Sequence, residues 1–369
     1  MDDRTSAPAG SGTDPAPADV DASGAPRGRG VAIVGRLARW EVLLAFVLLG
    51  LVWLGASLSP VFLSARNFSN LIAAVIEVGI IALPMALIIV AGEIDLSVES
   101  MVGLAASVLG FLYAAGYPLE MAIPAVLVVG ALGGLLNGVL VTMAGLPSLV
   151  VTLGTLALFR GLALVVLGPR GISGFPPQFS AFGFGTIPGT PLPWPFVIFA
   201  VLALVLGFVL HGTWIGRQLF AAGKNVGAAR YSGVRVARMK LLLFVLAGLI
   251  AALAGVVLAA RLASARADAG EGMTLTVVTI VLLGGVNIFG GRGTILGVVL
   301  AFFTLAVLGN ALRLANIASE IQSIAIGVLL IISVVIPTLA HQFKSALDRA
   351  LRGRRAPAGR VGPGEMANP

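Results

Sequence analysis

Long runs of apolar residues, separated by short polar or charged segments, follow one another along most of the chain. Several of these runs hold 18 or more residues without a charge, enough for an α-helix to cross about 30 Å of hydrocarbon. A transmembrane β-barrel would instead show short segments of alternating polarity. The pattern predicts an all-α polytopic membrane protein. We place about ten spans, at roughly 41–58, 70–91, 98–116, 121–144, 148–168, 194–212, 241–261, 274–289, 294–312 and 321–340.

Glycines modify two of these spans. The eighth span is short, and its Gly284-Gly285 pair could break it or let it re-enter, which is tolerated only where the backbone is buried in protein or lines a cavity. The fourth span carries Gly130, Gly134 and Gly138 at spacing four, which lets another helix approach closely. For that glycine row we favour packing within the subunit over a seam between two subunits.

The basic residues predict the orientation of the spans. The chain is 58% apolar and only 11% charged, with a net charge of +8. With ten spans, most Lys and Arg side chains fall in the two tails and in the loop 213–240, whereas the opposite flanks hold few. These few are Arg66, Arg170, Arg261, Arg266 and Arg313. The asymmetry places both termini in the cytoplasm. The net charge thus reports orientation, and nucleic-acid binding is not implied.

The same pattern divides the chain into three parts. Residues 1–35 are rich in Ala, Gly, Pro, Asp and Ser and are predicted to form a disordered cytoplasmic tail. Residues 36–342 form the transmembrane domain, with a cytoplasmic loop at 213–240 and an external loop at 169–193. Residues 343–369 form a basic cytoplasmic tail.

The cytoplasmic loop contains a predicted two-turn helix. Asn225 is a good N-cap because its side-chain oxygen can accept a backbone N–H of the first turn, and Gly233 suits the left-handed position after a helix. A helix this short is marginal alone in water, so a partner should hold it. The loop is either a basic stretch that fixes topology or a docking element, and we favour docking. The predicted element comprises Asn225, Val226, Gly227, Ala228, Ala229, Arg230, Tyr231, Ser232 and Gly233.

Within that helix we expect Ala228 and Ala229 to let it lie close to a partner surface. Arg230 and Tyr231 are the expected anchors, because Arg and Tyr are enriched among interface hot spots.

The sequence offers little chemistry of its own. It has no cysteine, which excludes disulfides and thiolate metal sites, and we expect no metal site and no catalytic residue. None of its lysines completes a phosphate-binding glycine loop. Any nucleotide chemistry therefore belongs to another chain.

Polar residues within or near the spans are candidates for a pathway or for structural roles. Glu77 lies well inside the second span, where a carboxylate is costly and must be protonated, paired or in contact with water. Asp95 could form an acid–base pair with its neighbours Glu93 and Glu99, although capping by Ser97 at the start of the third span is the favoured reading. The complete set is Glu77, Asp95, Asn137, Thr152, Asn287 and Asn310.

Five stretches of the chain resemble the membrane subunits of bacterial monosaccharide ATP-binding-cassette importers of the ribose, xylose and galactose type. The first reads Gly-Glu-Ile-Asp-Leu-Ser-Val-Glu-Ser where the family has Gly-Gly-Ile-Asp-Leu-Ser-Val-Gly-Ser, so Glu93 and Glu99 depart from the family pattern. The stretches occur in family order and span about residues 40 to 340. They are Gly92–Ser100, Pro147–Thr155 with Arg160-Gly161, the loop Gly216–Gly233, Leu283–Thr294 and Asn310–Leu314.

The resemblance implies a multi-pass permease of the bacterial inner membrane. Two such subunits, identical or different, would form the pore. The helix at 225–233 would be the coupling helix on a cytoplasmic ATPase subunit, which binds ATP-Mg, and an extracytoplasmic binding protein would deliver the sugar. Phe175–Phe179 and Ser264–Gly270 look most like the rhamnose and autoinducer-2 branches. The alternative is a self-sufficient secondary transporter coupled through Glu77 and the Asp95 turn.

Overall fold

The computed structural model describes residues 29–318, 320–333 and 335, and the regular structure of this part of the chain is almost entirely helical. The helices, in chain order, are α1 (Arg29–Leu58), α2 (Ala65–Ala73), α3 (Ile76–Val90), α4 (Val98–Ala114), α5 (Leu119–Thr142), α6 (Ser148–Leu167), α7 (Pro177–Phe184), α8 (Pro195–Gly212), α9 (Trp214–Lys224), α10 (Val226–Tyr231), α11 (Val236–Leu262), α12 (Met273–Leu283), α13 (Ile295–Leu314) and α14 (Glu320–Ser333). Two short strands, β1 (Ile172–Ser173) and β2 (Ser264–Ala265), pair antiparallel.

Among the described helices, six are long and apolar enough to cross a bilayer, and the bent pair α2–α3 would make a seventh. The three shorter apolar helices are α4, α12 and α14. This is an all-α polytopic membrane architecture. The predicted tail 1–35 and the predicted tail 343–369 lie largely or wholly outside the described residues, although α1 already begins at Arg29. The end of the tenth predicted span, after residue 335, also lies outside them.

The second predicted span, 70–91, is not a single straight helix. The axes of α2 and α3 differ by 50°. Val75, between them, has φ −132° and ψ 6°, so the regular helical backbone is interrupted at that residue. Pro84 lies further along, inside α3, and is not the cause of the bend. The residues on both sides of the break are apolar, and for this reason the sequence predicts one continuous helix over 70–91.

Helix α11 is the centre of the bundle and packs against α3, α4 and α5. A Cβ added at Gly134 would overlap the carbonyl oxygen of Phe244, and one at Gly138 would lie 3.1 Å from the Leu241 oxygen. The glycines of α5 therefore let its backbone touch that of α11. The predicted packing of this glycine row within the subunit is confirmed.

Helix α12 is too short to cross a membrane. Its 11 residues span about 16 Å, roughly half of the hydrocarbon thickness. It ends where Gly285 takes a left-handed backbone (φ 82°), so the predicted break at the Gly284-Gly285 pair is confirmed. The indole Nε1 of Trp40 in α1 donates a hydrogen bond to the Leu283 oxygen at 3.0 Å, which holds this end of α12.

The segment 263–272, between α11 and α12, runs along α4 as the short strand β2 followed by turns. At one end, a Cβ added at Gly110 would lie 2.7 Å from the Cβ of Ala265, and at the other, a Cβ added at Gly270 would lie 2.8 Å from the oxygen of Glu99. Gly110 and Glu99 are eleven positions apart on α4, which corresponds to about 16 Å along the helix axis. The chain thus descends by half a bilayer before α12 begins.

The loop 169–193, which the sequence predicts to be external, is fixed across the ends of several helices. Strand β1 pairs with β2, Ile172 lying opposite Ala265. The Phe175 ring lies 4.7 Å from that of Tyr113 and 5.2 Å from that of Phe179 (centroid distances). Helix α7 presses on α11 so closely that a Cβ at Gly183 would overlap the α11 backbone. The aromatic stretch is therefore part of a packed cap.

Candidate functional site

Helix α10 is the helix predicted in the cytoplasmic loop. The Asn225 side-chain oxygen accepts a hydrogen bond from the Ala228 N–H at 2.9 Å, so the predicted N-cap is confirmed. Gly233 has φ 83° and donates its N–H to the Arg230 oxygen at 2.9 Å, as expected for the residue after a helix.

The two faces of α10 have different surroundings. Ala229 is buried against Ala222 of α9 and Val236 of α11, which corrects the expectation that it faces a partner: its small side chain seats the helix on its own subunit. Tyr231 is 97% exposed, and Arg230 is exposed beside it. The free face of α10 thus presents an aromatic and a cationic side chain to solvent.

Helix α9, which precedes α10, is joined to two other parts of the subunit by a glycine junction, defined as Gly92, Gly223, Gly290 and Gly291. A Cβ added at Gly223 would overlap the carbonyl oxygen of Val90, the last residue of α3. A Cβ added at Gly290 would lie 2.9 Å from the Cα of Gly92, and the Gly291 N–H donates to Val90 O at 2.8 Å. Only glycine allows three backbones to meet this closely.

Asp95 lies in the irregular segment between α3 and α4. Its Oδ1 accepts hydrogen bonds from the backbone N–H of Ser97 at 2.9 Å and from the Ser97 hydroxyl at 2.6 Å. The Asn137 Nδ2 of α5 donates to the same hydroxyl oxygen at 2.8 Å. Ser97 is the N-cap residue of α4 and Glu99 lies in its first turn, as predicted, but the Ser97 side chain caps no backbone N–H because its hydroxyl donates a hydrogen bond to Asp95.

Hydroxyl groups of α6 satisfy the backbone of this segment. The Ile94 N–H donates to the Ser148 Oγ at 3.2 Å, and the Thr152 hydroxyl lies 3.4 Å from the Ile94 oxygen. Both α6 side chains are buried. Asp95, Asn137 and Thr152, singled out from the sequence, therefore come together around one buried non-helical segment, whose polar groups need partners away from water.

Glu93 and Glu99, the two residues that depart from the family pattern, each contact another helix. Glu93 forms an ion pair with Lys240 of α11. The Glu99 Oε2 accepts the backbone N–H of Thr274, in the first turn of α12, at 3.1 Å. A negative charge is favourable at the start of a helix. The glutamates therefore tie the segment to α11 and to α12.

Glu77 is fully buried, and its Oε1 lies 2.7 Å from the Nε of Arg261 at the end of α11. Among the described residues its Oε2 has no hydrogen-bond partner. Glu77 is therefore paired with a cation in the structure. Nothing local in the sequence points to Arg261 as the partner, because the two residues are 184 positions apart.

The remaining polar candidates lie elsewhere. Asn310 of α13 and Asn67 of α2 exchange two side-chain hydrogen bonds, at 2.9 and 3.0 Å. Asn287 accepts the Phe289 N–H at 2.8 Å in the turn that follows α12. Neither asparagine joins the cluster around Asp95.

Two further ion pairs were not identified from the sequence. Arg160 of α6 and Glu271 are 3.1 Å apart, with 33% and 62% of their side chains exposed. Arg266 donates two hydrogen bonds to Asp268, at 2.8 and 2.7 Å, and these lower the pKa of the Asp268 carboxyl. Within the described ranges no three Asp, Glu or His side chains are grouped as metal ligands would be.

Comparison with known proteins gives a consistent result. The family model described as "Branched-chain amino acid transport system / permease component" matches residues 67–334. The autoinducer 2 import system permease protein LsrD of Photorhabdus laumondii is 37% identical over 325 residues, covering 86% of this chain and 97% of the relative. The protein of the same name from Yersinia enterocolitica is 40% identical over 309 residues, covering 80% and 91%. No solved structure matches the chain.

Proposed function

The chain belongs to the family of permease components represented by branched-chain amino acid transport systems, and we propose that it is the membrane-spanning permease subunit of an ATP-binding-cassette importer for a sugar-like substrate. The observation that carries this is the extent of the similarity. It covers almost the whole length of permeases named for autoinducer 2 import. Within the sugar-like class we place the substrate closest to autoinducer 2, as a small hydroxylated molecule.

The energy source in this proposal is a separate cytoplasmic ATPase that carries ATP-Mg and receives α10. The exposed Arg230 and Tyr231 support docking, and the glycine junction supports mechanical connection to the spans. In this proposal the chain itself holds no cofactor. Purified alone, it is expected to show no nucleotide-dependent thermal shift, and ATP hydrolysis that tracks the purified chain would refute this part.

The proposed topology is ten spans with both termini in the cytoplasm of a bacterial cell, in the inner membrane, with a second identical or different permease subunit completing the pore. Reporter fusions after residue 345 and within 170–190 should report opposite sides of the membrane. Both fusions reporting the same side would contradict the topology.

A secondary transporter coupled through Glu77 is less well supported, because Glu77 is paired with Arg261 and is not a free carboxylate. If ATP drives transport, uptake should survive collapse of the proton gradient while ATP is maintained. Uptake that stops under that condition would favour ion coupling.

The test of the whole proposal is uptake by cells that produce this chain together with a partner ATPase and a binding protein. Autoinducer 2 uptake should require all components and ATP. The same cells should show no leucine uptake that depends on these components. Leucine uptake without autoinducer 2 uptake would overturn the substrate class in favour of the amino acids named in the family description.

A further inference from the structure

A charged pair lies at depth within the transmembrane domain. Arg160 is seven residues from the end of α6 at Leu167, or about 10 Å along the helix axis. Glu271, its partner at 3.1 Å, belongs to the segment that descends along α4 and leads into α12. Both side chains therefore sit inside the thickness spanned by α6, away from its ends.

This pair is not covered by its own subunit, since 33% of the Arg160 side chain and 62% of the Glu271 side chain are exposed. A cation and a carboxylate in contact with lipid would be strongly unfavourable, and ionisable residues in membrane spans face a protein interior or a water-filled cavity. The non-helical backbone around the pair also indicates a protein interior or a water-filled cavity. Non-helical chain at this depth is tolerated only where it is buried in protein or lines a cavity.

The neighbouring groups widen this polar region. The first turn of α12 begins beside Glu99, which is only partly buried and accepts the Thr274 N–H. The Thr274 hydroxyl in turn lies 3.4 Å from the Leu96 oxygen. The first turn of α12, the descending segment and the pair thus bring polar groups together on one face of the transmembrane domain.

We propose that this face lines the translocation path and that Arg160 and Glu271 form a substrate-contacting station within it. The station suits a small, uncharged molecule with adjacent hydroxyl groups: the guanidinium donates hydrogen bonds, the carboxylate accepts them, and the two charges cancel. The assignment deepens the proposed function, on which it rests.

The first test is water access, and it uses the absence of native cysteine. Arg160→Cys and Glu271→Cys, each alone, should react with a membrane-impermeant thiosulfonate added on the side predicted to be external. Leu204→Cys on α8, whose side chain is 74% exposed and apolar, is the lipid-facing control and should stay unreacted. If both path cysteines are as inert as Leu204→Cys, the pair is covered by lipid or by a second subunit, and the proposal is overturned.

The second test separates substrate contact from a structural clasp. Glu271→Gln and Arg160→Gln should each raise the substrate concentration for half-maximal uptake about tenfold, the loss expected for one charge-assisted hydrogen bond. Glu120→Gln, at an exposed carboxylate in the first turn of α5 and outside this face, should leave uptake unchanged. Co-purification of each variant with the ATPase verifies assembly.

A charge exchange, Arg160→Glu with Glu271→Arg, restores an ion pair but reverses donor and acceptor positions. It should not restore uptake, and full rescue would identify a structural clasp and overturn the proposal. Failure of the proposed function would be visible in the unmodified chain, which would not support ATP-dependent uptake although its cysteine variants could still be labelled.

Discussion

Docking of α10 on the ATPase can be tested at two side chains that do not stabilise the free subunit. Tyr231 is 97% exposed and Arg230 is exposed as well, so Tyr231→Ala and Arg230→Ala remove almost no packing within the chain. Exposed substitutions of this kind change the free energy of unfolding by less than about 0.5 kcal/mol. The purified variants should therefore melt like the unmodified permease.

The cost should appear only in the complex. A Tyr or Arg at the centre of an interface is worth ~2 kcal/mol when truncated, which corresponds to an affinity about thirtyfold weaker. By contrast, Ala229→Glu would place a charge against Ala222 and Val236 and would unseat α10 from its own subunit. That substitution is consequently a poor probe of docking, although it too should abolish coupling.

The assay is titration of the ATPase against permease in detergent, together with uptake in cells. Arg217→Ala is the matched control, since it removes an exposed positive charge from α9 of the same cytoplasmic loop without touching α10. Tyr231→Ala and Arg230→Ala should weaken binding and uptake, and Arg217→Ala should not. Wild-type ATPase binding by both α10 variants would refute docking through α10. The loop would then be a basic stretch that only fixes the topology.

Two further outcomes follow from buried contacts. Gly223→Ala would drive a methyl group into the Val90 oxygen, so uptake should fall at least severalfold while ATPase binding stays intact. The control variant Gly207→Ala, whose Cβ would meet Ile295 at an ordinary 3.7 Å, should transport normally. Equal uptake in both variants would contradict a coupling role for the glycine junction. Glu77→Gln leaves the charge of Arg261 without its counterion, so thermal denaturation should show destabilisation toward the lower end of the roughly 3–5 kcal/mol typical of broken buried pairs, and an unchanged melting temperature would argue against the pairing.

Features encoded in local sequence were predictable. The spans follow from hydrophobic runs long enough to cross a membrane, and the ends of α10 follow from Asn225 and Gly233, whose capping geometry needs only their immediate neighbours. The break after α12 was also visible, because the Gly284-Gly285 pair supplies a residue that takes the left-handed backbone without a Cβ clash.

Contacts between distant segments were not predictable. Glu77 and Arg261 are 184 positions apart, and Glu93 and Lys240 are 147 apart. Glu77 reads as an isolated carboxylate in the sequence, and Glu93 as part of the acidic turn around Asp95. The burial of Ala229 was missed for the same reason, because it depends on how α9 and α11 fold back on α10. The 50° bend between α2 and α3 has no composition signal at all.

The irregular parts of the chain connect the proposed docking helix α10 with the proposed station at Arg160 and Glu271. At the glycine junction, α9 touches both the end of α3 and the turn that follows α12. The other end of α12 begins at Glu99, beside the segment that carries Glu271. Helix α12 is about 16 Å long and is hydrogen-bonded at both ends, to Trp40 and to Glu99. Close-packed backbones cannot slide past one another without a steric cost, so displacement of α9 must be accommodated at α12 and hence beside the charged pair.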